Sequence, residues 1–366
     1  MVARVNVEVA VVGGGLLGLA TASALARRGR EVVVLERFTV GHGWAGSKGT
    51  ARVFRLGYDE PGYVTMAMRA GELWRDLEEA SGRALLEETG QVTFGVDLEV
   101  LKASLSAAGA PWEPLRPGDL TERFPGLAVT GPALLEPRSG VLAADACLEA
   151  LAATPGVDLR EETGVGAIDD DGRRVTLSTP TGPVTAEQVV VCAGPWSASL
   201  LGGTVPSGPF RASLEQVAYL EPGPTTPVVM PVFIERAHPW VYGLPVAADR
   251  VYKVALHGGG PTVDSDRATD DPDPDLLATL TAASARILPT HDPIPVRTER
   301  CLYDLTPDED FVLDRVGRVT LGFGTSGHGF KFGPLLGEVL ADLVTGVEPS
   351  VDLAGFGLGR SALRGQ

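Results

Sequence analysis

Apolar and polar positions alternate from the first residues of the chain, and the period then changes. "VEVAVVGGG", residues 7–15, alternates before closing on apolar residues and glycines, which predicts a strand. "GGGLLGLATASALARRG" follows, an Ala-rich stretch that predicts a helix closed by Gly29. "REVVVLER" predicts a second strand ending at Glu36. Further along, Val189–Val191 in "AEQVVVCAGPWSASLL" predicts a buried parallel strand, with a sharp turn at Ala193-Gly194-Pro195. "GRVTLGFGTSGHGFKFGPLLGEVLADLV" predicts a strand over Val319–Gly322, a glycine-rich loop and a helix starting near Pro334. "PWVYGLPV" and "RVYKVAL" alternate as strands. "VTMAMRAGELWRDLEEAS" places Met66, Leu73, Trp74 and Leu77 on one helix face, a pattern of core packing.

These elements predict an α/β chain with a parallel-sheet domain in three pieces, residues 1–86, 145–207 and 308–366. A second domain is expected over residues 87–144 and 208–307, as a mixed sheet covering the first. At 366 residues the chain is long enough for both.

The first turn carries the most specific chemistry. Gly13, Gly15 and Gly18 form G-x-G-x-x-G between strand and helix. Gly13 permits the turn, Gly15 lets backbone approach a pyrophosphate, and Gly18 lets helix and strand pack. The helix N-terminus offers free N–H groups to phosphate. Glu36, about twenty residues on, suits a ribose diol. The motif defines a dinucleotide site. Its place at the start of the chain leans to FAD, and Glu36 disfavours a 2′-phosphate, with Arg37 beside it as a counter-signal. The second glycine loop, holding His328 and Lys331, suits stabilisation of negative charge.

Composition narrows the partners. A net charge of -16 disfavours nucleic acid and anionic membrane surfaces. The 3 cysteines, Cys147, Cys192 and Cys301, lie far apart without Cys-x-x-Cys spacing, so neither a disulfide framework nor a metal site is expected. Free thiols fit a reducing cytoplasm. No signal peptide or membrane span is visible. Cys192 reads as a packed core side chain. Cys301, in "TERCLYDLTPDEDFVL", reads either as a buried small hydrophobe or as a covalent attachment point.

Taken in order, the dinucleotide motif with Glu36, "GSKGTARVFR", "VVCAGPW", "VYKVALH", "CLYDLTPDEDFVLD" and "GFGTSGHGFKFGP" jointly resemble the monomeric sarcosine oxidase and N-methyltryptophan oxidase family. The resemblance spans nearly the whole chain. It implies a Rossmann-like FAD-binding domain with an inserted substrate domain. It also implies oxidation of a secondary amino acid to an imine, by hydride-like transfer to flavin N5, with O2 reduced to hydrogen peroxide. FAD linked through its 8α-methyl group to a cysteine falls on Cys301, and an unmodified thiol beside bound flavin is the alternative. Arg55 and Lys331 fall on carboxylate-binding positions, with a surface ion pair to Asp59 or Glu60 as the competing reading of Arg55. Arg52 falls beside the flavin, Lys253 on the position that activates O2, and Tyr242 and His257 on the substrate pocket. Further cofactor contacts carried by the resemblance are Leu16, Ser47, Lys48 and Val165, then Ala193, Gly194 and Trp196, then Gly327, His328, Gly329 and Phe330. Lys48 is a departure, because relatives carry His there. The substrate is left open between N-methyl amino acids, cyclic imino acids and biosynthetic imines. A flavin dehydrogenase with another acceptor and a non-catalytic flavin subunit are the alternatives. The family name makes a monomer the default.

Overall fold

The computed structural model describes residues 5–43, 46–203, 205 and 208–364. The strand Val5–Val12 lies between two parallel neighbours, Val32–Leu35 and Val184–Val191. Val157–Arg160 extends this parallel sheet on one side and Val319–Phe323 on the other. Three antiparallel strands complete an eight-stranded sheet. Alternation divides its residues between two cores. Val9, Val11, Val34 and Val190 face one, and Ala10, Val12, Val33 and Val189 face the other. A sheet covered on both faces needs near-continuous apolar strands, which is what "AVV" and "VVVL" supply.

The helices Leu16–Arg27 and Gly333–Thr345 pack tightly on one face. Gly337 makes this possible, since a Cβ there would lie 2.5 Å from the Ala20 carbonyl carbon. The helix Pro61–Ser81 buries Met66, Trp74 and Leu77 as its spacing predicts, and Leu73 packs partly buried against the same core. Burying side chains of this size is worth roughly 1.5–3 kcal/mol each.

The second large sheet has nine strands and is mixed. Its centre is Arg211–Leu220, Val251–His257 and Trp240–Val246, all antiparallel, while Val232–Arg236 pairs in parallel with Gln91–Gly95. Arg297–Leu305 pairs antiparallel with Arg211–Leu220. A third sheet of three short strands joins Ala51–Phe54, Gly140–Ala143 and Leu86–Glu87. No alternation in the sequence announces it. It holds the segment with Arg52 and Arg55 between the two large sheets. No helix among the described residues is long and apolar enough to cross a membrane.

Candidate active site

Gly13, at φ +104, sits where a Cβ would lie 2.4 Å from the Cys192 carbonyl oxygen. At Gly18 a Cβ would lie 1.9 Å from the Gly13 carbonyl oxygen. Both positions therefore require glycine, which brings the helix N-terminus against the strand ends. Gly18 does its work behind the turn, while Gly13, Gly15 and Leu16 line a long cavity of about 370 Å³. Ser47 accepts a hydrogen bond from the Leu16 amide at 3.0 Å. Glu36 is buried at the end of its strand, where its carboxylate accepts from the Gly14 amide at 2.6 Å and the Phe38 amide at 2.8 Å.

The same cavity is lined by Arg37, Val165, Ala193, Gly194 and Trp196, and at its other end by Gly327, Gly329 and Phe330. Bare glycine backbone and the helix N-terminus, its Leu16 amide held by Ser47, lie at one end, with a buried carboxylate at the edge of the turn. This donor set fits the pyrophosphate and ribose of FAD. A strap from the second sheet crosses the cavity: Asp266 pairs with Arg37 at 2.9 Å and accepts from Trp196 Nε1 at 2.9 Å. Lys48 lines neither this cavity nor the smaller one below. Its Nζ lies 3.5 Å from Asp270 Oδ1 on the same strap, so its charge has a partner.

A smaller cavity of about 80 Å³ adjoins the first. Arg52, Tyr242, Lys253, Tyr303, Gly327 and Phe330 line both. One face of the nine-stranded sheet supplies seven of its fifteen lining residues. Strand alternation puts residues two apart on the same face. Register then aligns Trp240 with His257, Tyr242 with Ala255 and Leu244 with Lys253. Cys301 and Tyr303 stand on the strand Arg297–Leu305, opposite Glu215 and Ser213. Tyr252, Val254 and Leu256 point the other way into a separate core, as the alternation predicts.

Arg55, His257, His328 and Lys331 line the small cavity alone. Lys331 Nζ donates to Tyr58 Oη at 2.9 Å and to the His328 carbonyl at 2.6 Å. Trp74, a core residue, also holds this loop by donating to the Lys331 carbonyl at 2.8 Å. The Arg55 guanidinium carbon lies 3.7 Å from the Tyr58 ring centroid, and Arg55 donates to the Gly57 carbonyl. Asp59, the expected competitor for Arg55, is instead held by Arg236 through two hydrogen bonds at 2.8 and 2.7 Å. Arg55 is thereby left facing the cavity.

The electrostatics are one-sided. Arg52, Arg55, Lys253 and Lys331 line the small cavity, and no described residue lining it is acidic. Burial, reinforced by Arg52, pulls the Lys253 ammonium down to about 7. Burial and Arg55 hold Lys331 well below the ordinary lysine range. Burial, Arg55 and Lys331 pull His257 down to about 4, so its imidazole is neutral at physiological pH. Tyr242 is pushed up to about 12, chiefly by burial, and keeps its proton. Burial pushes the Cys301 thiol up, while Arg52 and Lys253 pull it back down. Cys192 and Cys147 are buried core thiols.

Sequence reasoning missed several residues here. Tyr303 shares its face with Cys301 two positions away, a spacing that was available to be read. His42, to which no sequence motif points, lines the long cavity with its Nε2 3.7 Å from Glu36 Oε1. Trp240 likewise shares its face with Tyr242 two positions away, while Tyr58 gave no local signal, because its role comes from chain segments packed against it.

The chain matches the family described as FAD dependent oxidoreductase over residues 8–343. It belongs to that family, and it is a flavoprotein oxidoreductase of the sarcosine oxidase type. Human peroxisomal sarcosine oxidase is similar at 30% identity, covering 96% of this chain and 95% of that protein. Monomeric sarcosine oxidase of Bacillus sp. (strain NS-129) is also 30% identical, covering 98% and 97%. Among solved structures, the open form of NikD, an amino acid oxidase essential for nikkomycin biosynthesis, has a TM-score of 0.87 at 28% identity. It covers 97% of this chain and 98% of that one. The resemblance drawn from the sequence motifs is borne out, as is the α/β fold.

Proposed function

We propose that this chain oxidises the C–N bond of a secondary amino acid to an imine and passes the electrons to O2, giving hydrogen peroxide. The observation that carries this reading is the small cavity. It holds four cationic side chains and no described acid, and it opens onto a cavity shaped for FAD. Such a cavity selects an anion, and an Arg fork with a nearby Lys suits a carboxylate. FAD bound in the long cavity would supply a two-electron acceptor.

The chain's own residues then have separate tasks. Arg55 and Lys331 orient the substrate carboxylate. His257, neutral, accepts a hydrogen bond from the substrate amine, and Tyr242 donates from its protonated phenol. Lys253, on the shared wall, places an ammonium where O2 is reduced. The reading also takes the nucleotide domain as residues 1–86, 145–207 and 308–366, with the substrate domain between, working as a monomer in the cytoplasm.

Anaerobic titration of the holoprotein with sarcosine, proline, pipecolate and N-methylated polar amino acids tests the reaction. Bleaching of the flavin band by at least one is the expected result, with peroxide released once air is admitted. Dithionite reduction with no bleaching by any member would overturn the reading.

Cys301 is proposed to carry FAD as a thioether, since it lines the long cavity within the influence of Arg52 and Lys253. Acid precipitation of wild type is expected to leave the yellow colour in the pellet. The Cys301→Ser variant is expected to release it to the supernatant. Release from wild type would rule out the link.

A further inference from the structure

We propose that Trp240 sets the upper size limit of the substrate, restricting the site to carboxylated secondary amines about as large as sarcosine or proline. This rests on the amino acid oxidase reading above.

Position is the first argument. Tyr242 and Lys253 line both cavities, whereas Trp240 and His257 line only the small one. Along the strand Trp240–Val246, the residues Trp240, Tyr242 and Leu244 share a face. At roughly 3.3 Å per residue, Trp240 stands about 7 Å along the strand from Tyr242, the residue of this face that lines both cavities. It therefore forms part of the wall that the long cavity does not reach, with His257 beside it at a ring separation of 6.2 Å. A substrate side chain directed away from the flavin meets this indole.

Rigidity is the second argument. The Arg236 guanidinium lies 4.9 Å from the Trp240 ring centroid, and that of Arg55 lies 5.9 Å from it. Arg236 is buried and locked to Asp59 by two hydrogen bonds. Cations over an indole face are attractive, and a locked guanidinium holds the ring in one place. The remote wall is thus a braced aromatic plate. The cavity it closes, about 80 Å³, is far below the roughly 300 Å³ at which sites for larger ligands begin.

The test uses the holoprotein as wild type, Trp240→Phe and Trp240→Gly. Dissociation constants for pyrrole-2-carboxylate and indole-2-carboxylate are measured by calorimetry, and flavin reduction is measured with sarcosine, proline and N-methyltryptophan. Wild type and Trp240→Phe are expected to bind the pyrrole acid about tenfold or more tighter than the indole acid. Trp240→Gly is expected to remove or reverse that ratio and to gain reduction by N-methyltryptophan. The ratio is internal to each protein, so a general loss of folded protein does not move it. Equal binding of the two acids by wild type would overturn the size limit, as would an unchanged ratio in Trp240→Gly. If the ratio changes as expected while no amino acid reduces the flavin, the size limit stands and the oxidase reading fails.

Discussion

Replacing Lys253 with Met is expected to slow reoxidation of the reduced enzyme by O2 about 100- to 1000-fold, while leaving reduction by substrate within a few-fold of wild type. Lys253 is 5% exposed in the middle of its strand, its Nζ lying 3.4 Å from the Ala51 carbonyl. A positioned cation at a site of developing negative charge is worth about this factor when removed. Double-mixing stopped-flow separates the two half-reactions. Reoxidation within a few-fold of wild type would remove Lys253 from the oxygen step.

The pH dependence has a definite sign. The ammonium titrates at about 7 in the fold, against about 10.4 for an unperturbed lysine. Oxygen reactivity should therefore decline as pH rises through about 7, and Lys253→Met should lose that dependence. Stability moves the other way. Between about pH 7 and 10 the unfolded chain binds a proton at Lys253 that the folded chain does not. Folding stability contributed by this group thus rises with pH across that window. Lys253→Met should flatten that slope and melt higher than wild type at neutral pH. A more stable, slower enzyme is the combined expectation, since a buried cation is kept here against its desolvation cost.

Removing Arg55 is the second large effect. Hydrogen bonds to a charged group are worth about 1.5–3 kcal/mol each, so Arg55→Ala should weaken carboxylate binding about 10- to 150-fold. Arg55→Lys should fall between, keeping charge but losing the planar fork. Lys331→Met should act in the same direction, since its Nζ is already oriented by Tyr58 and the His328 carbonyl. The measurement is the dissociation constant of a simple carboxylate ligand in each variant. Unchanged affinity in Arg55→Ala would mean that the carboxylate sits elsewhere. Burial and Arg55 depress Lys331, and an incoming anion opposes that, so carboxylate binding should be accompanied by proton uptake. Calorimetry in buffers of different ionisation enthalpy reads that uptake directly.

Much of the nucleotide end was legible in the sequence because its determinants are local. Gly13 needs glycine for its positive φ and Gly18 for the nearby Gly13 carbonyl, both reasons contained within a few residues, and Glu36 closes the strand that follows; the Cys192 carbonyl that also crowds Gly13 comes from a distant strand. The alternation of Lys253 against Tyr252 and Val254 was also legible, and it correctly separated cavity from core. The small three-stranded sheet was not, because strands this short carry no period to detect. Arg52 and Arg55 could be singled out by resemblance. That Arg55 escapes an ion pair with Asp59 could not, because Arg236, which takes that carboxylate, is far away in the chain.

Sequence by itself determined the dinucleotide turn, the two-faced apolar strands and the alternation that puts cationic and aromatic residues on one sheet face. These follow from backbone sterics and side-chain period, which act over a few residues. Tertiary structure alone decided that two arginines and two lysines converge with no acid among the described residues lining their cavity, that Lys48 is paired with Asp270, and that Trp240 is braced by Arg236. Each of those depends on groups brought together from distant segments, and both desolvation and charge pairing are set by distance in space.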